Sequence, residues 1–194
     1  MNPPPLVLAS TSIYRRALLE RLRVPFEVAR PEIDETPLPK ENPSEVCLRL
    51  ARAKAMAVAP QFGEALIIGS DQVAVLAGQS LSKPVTHEKA VAQLRAMRGK
   101  SIDFLTAVAI LNSRTGHMLD RIVPCRVEFR DFSDEVIERY LRLEQPYDCA
   151  GSAKAEGLGI ALIRRLSTDD PNALIGLPLI ALVDLLGEHG YPVL

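Results

Sequence analysis

Little in this chain points to disulfides, to a membrane or to nucleic acid. Its three cysteines, Cys47, Cys125 and Cys149, are scattered, with no CxxC pair among them. An odd number without metal spacing fits reduced thiols in the cytoplasm better than a disulfide framework. No apolar run approaches the roughly 20 residues of a membrane span, so none is expected. The opening MNPPPLVLAS lacks a basic n-region and a long apolar core, so it does not read as a signal peptide. Met1–Pro5 reads as a flexible lead-in, because successive prolines suit neither a helix nor a central strand. Formal net charge is -1, which excludes a broad pull toward nucleic acid or lipid and requires any basic site to be local. The histidines His87, His117 and His189 stand far apart without metal spacing and read as surface residues. There is no Walker A sequence, so P-loop chemistry is excluded. No Ser-His-Asp arrangement stands out, and Cys149 has no evident base and reads as a small buried residue.

What is present is a soluble globular composition, 47% hydrophobic and 24% charged, over 194 residues. Strand and helix patterns alternate. Leu6–Leu8 reads as a buried strand, followed by a hydroxyl-rich turn and a helix over about Ser12–Leu22. A short strand at Pro25–Val28 precedes Arg30–Asn42, an acidic, proline-rich loop of a length often functional in compact domains. Asn42 caps a helix that starts at Pro43. The run ALIIGS at Ala65–Ser70 predicts a central strand that ends at Gly69-Ser70-Asp71, with Gln72–Ala77 as a second extended piece. A helix is expected from about Thr86 to Met97, then long strands at Ser101–Leu111 and Met118–Arg130. Ser133–Leu143 predicts a helix with Ser133 as its cap. Cys149–Gly159 reads as a small-residue loop, Gly157–Ile163 as the entry to a strand, and Leu177–Glu188 as the last helix. No repeat or linker divides the chain. The expectation is a single α/β domain over residues 6–194, a mixed sheet flanked by helices, with a cleft.

Polar residues gather where these strands end, which is where open α/β sheets bind ligands. Ser10, Arg15 and Arg16 follow the first strand. A helix start there, with hydroxyls and cations, fits an anion seat; it equally fits an ordinary capped helix with surface arginines. Asp71 is either a turn-forming residue at a strand end or a functional carboxylate. The combination is more specific than its parts. Asp71 and Glu35 with Arg15, Lys54 and Lys83 describe a site for Mg²⁺ and a polyphosphate, because Mg²⁺ takes one or two carboxylates and leaves its other positions to phosphate and water.

Seven segments, in order along the chain, carry a resemblance. They are LASTSxxRR at Leu8–Arg16, PEIDE at Pro31–Glu35, LAxxKA at Leu50–Ala55, IIGSDQV at Ile67–Val73, SKP at Ser82–Pro84, CAGSxKxEGxG at Cys149–Gly159 and IGLPL at Ile175–Leu179. Together they resemble the Maf family of nucleotide pyrophosphatases, and within it the branch of 7-methyl-GTP pyrophosphatases. The resemblance implies an elongated mixed sheet with a deep cleft between two lobes. It implies hydrolysis of a nucleoside triphosphate to monophosphate and pyrophosphate with a divalent cation, Mg²⁺, Mn²⁺ or Co²⁺. Asp71 falls on the family's proton acceptor, Ser10, Arg15, Lys54 and Lys83 on phosphate positions, and Glu35 with Asp71 on metal positions. It also implies a homodimer acting on a small nucleotide, and the cysteines, charge and hydropathy above add the expectation of a cytoplasmic protein with neither nucleic acid nor membrane as partner.

Base choice is expected at Tyr14, Gln72 and Glu156. In the dTTP/UTP branch these places typically hold Arg, Thr and Gln. This chain puts an aromatic face and a carboxylate there instead, which suits a base that carries positive charge. Two alternatives stay open: a dTTP/UTP pyrophosphatase of the same family, and a non-enzymatic nucleotide-binding regulator of cell division.

Overall fold

A computed structural model describes residues 3–194 of the chain. In order, the elements are β1 (Leu6–Ala9), α1 (Ile13–Glu20), β2 (Phe26–Ala29), α2 (Pro43–Val58), β3 (Leu66–Leu76), β4 (Gln79–Leu81), α3 (His87–Met97), β5 (Ser101–Asn112), β6 (Met118–Phe129), α4 (Asp134–Glu144), β7 (Ile163–Thr168) and α5 (Leu179–Glu188), joined by loops and short 3-10 turns. One mixed sheet runs β2-β1-β3-β5-β6-β7, and β4 folds back on β3. β1 lies parallel to β2 and β3, while the remaining pairs are antiparallel. The expected lead-in lies partly outside the described residues; the Pro5 carbonyl already accepts the Leu66 N–H at 2.9 Å.

The sheet explains why the ALIIGS run does not stop where its apolar character does. β5 pairs with β3 without interruption from Leu66 to Val75, so the two extended pieces are one strand and Asp71 lies inside it, opposite Ala107. The other edge of β3 is not continuous. β1 covers only Leu66–Ile68 and β4 only Ala74–Leu76. Between them Gly69–Val73 has no strand beside it, and polar side chains are tolerated there because the edge opens onto a crevice.

Two groups of buried side chains flank that crevice. Leu8, Leu19, Ile68, Ile110 and Leu182 pack with α1 and α5. Leu94, Met97, Phe104, Ile137 and Leu141 pack with α3 and α4. β5 feeds both; its 12 residues span roughly 40 Å at ~3.3 Å per residue. This is the expected pair of lobes on a shared sheet.

Local signals act mostly as expected. Asn42 and Glu45 form a reciprocal capping box over Pro43 at the start of α2. Ser133 stands at the head of α4 but makes no side-chain cap bond; Asp134 and Glu135 in the first turn complement the helix dipole instead. The strand expected to begin within Gly157–Ile163 begins only at Ile163, after a 3-10 segment over Leu158–Leu162. Ile163 is the first residue that reaches a partner, Phe129 at the irregular end of β6. α5 starts two residues later than expected; the buried Asp170 fixes that start by accepting the Ile180 N–H at 2.6 Å.

Two surface expectations are corrected. His117 and His189 are not apart, because the β5–β6 turn lies against the end of α5 and brings their rings to 5.3 Å in an edge-on contact. His87 is half-buried between Tyr147 Oη (3.0 Å) and Glu138 Oε2 (3.1 Å). Among the described residues, no helix is long and apolar enough to cross a membrane.

Candidate active site

The site is built from the end of β1. Ser10 is buried there, and its Oγ accepts the Ser12 N–H at 3.1 Å. That bond uses an acceptor lone pair and leaves the Ser10 hydroxyl proton for an anion. Ser12 caps α1 by accepting the Arg15 N–H at 3.3 Å. The two arginines of α1 then part. Arg15 turns inward and its Nε donates to the Gly176 carbonyl at 2.8 Å, a carbonyl that also accepts from Ser70 Oγ at 3.0 Å. The IGLPL segment thus orients Arg15 from the far end of the chain. Arg16 turns to solvent and pairs with Glu20 at 3.0 Å, so it takes no part in an anion seat. Desolvation lowers the Arg15 pKa, against the pull of Asp71 and Glu35; a guanidinium stays charged through such shifts.

Lys54 reaches the crevice because α2 rests directly on β3. Gly69 makes this possible: a Cβ there would stand 2.1 Å from the Ala51 carbonyl oxygen. The Lys54 ammonium, buried, bridges two carboxylates, Asp71 Oδ1 at 2.6 Å and Glu35 Oε1 at 2.8 Å. One of its three N–H groups is left for a phosphate. Among the described residues no donor engages Asp71 Oδ2. Desolvation alone would raise the Glu35 pKa, but the Lys54 hydrogen bond and the charges of Lys54, Lys83 and Arg15 hold it below its usual value. Among the described residues no three His, Cys, Asp or Glu side chains converge as a metal cage. The free oxygens of Glu35 and Asp71 are hard donors, and they suit an ion that draws its other ligands from phosphate and water.

These groups line a cavity of about 580 Å³ that runs from Arg15, Lys54 and Lys83 to Gln72, Cys149 and Glu156. A second hollow of about 440 Å³ opens beside it, sharing Arg15, Glu35, Lys54 and Lys83 and adding Ser10 and Arg30. All eight residues expected from the resemblance, together with Asp71, therefore meet in one crevice. Arg30 was missed; in the sequence it is one exposed cation at the head of a loop, with nothing to set it apart. Cys149, expected buried, is partly exposed on the cavity wall. Burial first, then the neighbouring Asp148 carboxylate, pushes its thiol up to about 12, so it is not a ready nucleophile.

The far end of the cavity is acidic and aromatic. Gln72 Nε2 donates to Thr106 Oγ1 (3.0 Å) and to the Ala173 and Leu174 carbonyls (2.9 and 3.0 Å). Backbone carbonyls accept only, so they fix the orientation of the amide, and what Gln72 can offer a ligand is its oxygen. Desolvation raises the Tyr14 pKa, with the Cys149 thiol and Asp148 carboxylate adding to it, so the phenol stays protonated. Glu156 is exposed as a residue, yet the cavity walls take enough water from its carboxyl to raise its pKa.

The structure is that of an α/β protein with a mixed sheet and, along one edge of β3, a crevice that is cationic at one end and acidic and aromatic at the other. The chain belongs to the Maf family: the family described as Maf-like protein matches residues 5–189. It is 57% identical to the 7-methyl-GTP pyrophosphatase of Methylobacillus flagellatus over 98% of this chain and 100% of that one. It is 56% identical to the protein of the same description from Cupriavidus metallidurans, over 97% and 95%. The corresponding protein of Nitrosococcus oceani is 54% identical over 99% and 96%.

Proposed function

We propose that this protein is a 7-methyl-GTP pyrophosphatase, cleaving its substrate to 7-methyl-GMP and pyrophosphate and so clearing a modified nucleotide. The observation that carries the reading is the acceptor-rich base end, where Gln72, Glu156 and the Tyr14 ring line one cavity. Guanine presents N–H donors along its pairing edge, and methylation at N7 gives the ring a positive charge. Acceptors and a π face suit both features. The carbonyl-rich edge of a pyrimidine meets lone pairs there instead. The similarity to curated pyrophosphatases over nearly the whole chain supports the same reading.

At the phosphate end, Arg15 and the third N–H of Lys54 bind the triphosphate, with Ser10 donating its hydroxyl and Lys83 adding charge at the rim. Asp71 Oδ2 orients a water and takes its proton as the oxygen attacks the α-phosphorus, and pyrophosphate leaves toward the cations. Glu35 and Asp71 would hold a divalent cation, Mg²⁺, Mn²⁺ or Co²⁺, which when bound neutralises charge on the phosphates. A cytoplasmic location and a homodimer complete the proposal; the free cysteines support the first and the family resemblance the second.

The test is kcat/KM for 7-methyl-GTP, GTP, dTTP and UTP, measured side by side with each metal. Wild type should prefer 7-methyl-GTP, and Glu156→Gln should lower that preference by about tenfold to a hundredfold, the worth of a charge-assisted contact. A wild-type preference for dTTP or UTP would overturn the base assignment and leave the hydrolysis intact. Arg15→Ala should weaken every nucleotide alike, by about tenfold or more in KM, because phosphate carries no base identity. A changed order of preference in that variant would move Arg15 into the base pocket.

A further inference from the structure

Glu156 has a cation two residues away that is kept busy elsewhere. The Lys154 Nζ lies 2.8 Å from Glu144 Oε1 at the end of α4, and 5.6 Å from the centre of the Tyr14 ring. The Glu144 side chain is only 14% exposed, and its second oxygen accepts the Leu158 N–H at 2.7 Å. It sits so close over Gly157 that a Cβ there would stand 2.7 Å from Oε2. The Lys154 backbone is tied down as well, its N–H donating to Tyr140 Oη at 3.0 Å. Glu144 therefore grips both ends of the segment 154–158, with Glu156 in the middle.

Lys154 has two carboxylates to choose from. An ammonium paired with Glu156 would cancel the charge that meets the base and would place a cation where a cationic base must go. Glu144 is the stronger competitor because the Leu158 N–H already holds its largely buried carboxylate in place, so little freedom is lost when the ion pair forms. We propose that Glu144 is a positioning residue that withholds Lys154 from Glu156 and so keeps the base-reading carboxylate uncancelled. This rests on the reading of Glu156 given above.

The role predicts a rescue. Glu144→Gln keeps an oxygen for the Leu158 N–H but releases Lys154 to Glu156. The ratio of kcat/KM for 7-methyl-GTP over GTP should fall by about tenfold. Inhibition by inorganic pyrophosphate, which engages only the phosphate end, should not move. Adding Lys154→Met should restore the ratio toward wild type, whereas a merely structural role for the ion pair predicts that the double variant is no better than the single. Lys154→Met alone should keep the wild-type ratio, and this holds even if the Glu144 variant fails to fold. A fall in the ratio for Lys154→Met alone, no fall in Glu144→Gln, or no rescue in the double variant overturns the proposal, provided that Glu156→Gln shifts the ratio. If Glu156→Gln leaves the ratio unchanged, the base reading itself has failed and the proposal falls with it.

Discussion

Asp71→Asn is expected to lose at least on the order of 100-fold in kcat while the protein stays folded. The amide is the same shape and can still accept from Lys54, so the strand pairing on either side has no reason to change. What it cannot do is take a proton or offer a charged oxygen to a cation. Among the described residues Asp71 is the one carboxylate that combines burial, an oxygen without a protein donor and a place on the floor of the crevice. Glu35 shares Lys54 but stands at the rim with its side chain 58% exposed. The measurement is pyrophosphate release under saturating nucleotide, with circular dichroism to confirm the fold. Near-normal turnover by a folded variant would remove Asp71 from the chemistry and leave Glu35 as the better candidate for the base.

Gly69→Ala is expected to lose both stability and turnover although residue 69 touches no substrate. The added methyl would meet the Ala51 carbonyl oxygen at 2.1 Å and the Ala55 nitrogen at 2.9 Å. Both are backbone atoms in the middle of α2, so no side chain can swing aside, and the helix must lift off the sheet. Forcing a group into a packed interior typically costs about 1–3 kcal/mol. The rigid neighbour places this case near the upper end, a fall of roughly 6–12 °C in Tm for a chain of this size. Lys54 rides on the lifted stretch, between Ala51 and Ala55. Its bonds to Asp71 and Glu35 should lengthen, so kcat should fall even well below the new Tm. Denaturant unfolding and turnover at low temperature separate the two effects. Wild-type values in both would mean that α2 does not approach the strand as described.

Much of this architecture was legible in the residues. The capping box at Asn42–Glu45, the apolar runs of β1 and β3 and the alternating pattern of β6 announce their elements by local chemistry alone. That Asp71, Glu35, Arg15, Lys54 and Lys83 gather in one place was legible too, because two carboxylates and three cations near strand ends suggest a common crevice. What local chemistry could not give was pairing. Asp71 looks like the end of a strand because polarity rises there, yet the strand continues, carried by β5 on one edge while the other edge lies open. Arg15 and Arg16 are equivalent as letters and are separated only by the Gly176 carbonyl, more than 160 positions further on. The Lys154–Glu144 pair was invisible for the same reason, since nothing local says which of two nearby carboxylates takes the ammonium. His117 and His189 met through a turn and a helix end that no spacing rule connects.

The ladder between β5 and β6 runs without a break from Ser101 opposite Glu128 to Leu111 opposite Met118, beneath both lobes. Sliding one lobe past the other would mean breaking that ladder in register, and bending it would strain a dozen residues at once. The crevice therefore has a stiff keel. Whatever adjustment a nucleotide requires on entry falls to the rims: the acidic loop that carries Glu35 and the short stretch that carries Lys83. The segment that carries Glu156 is held by Glu144 at both ends, and Asp71 lies beneath it within the unbroken pairing of β3 with β5.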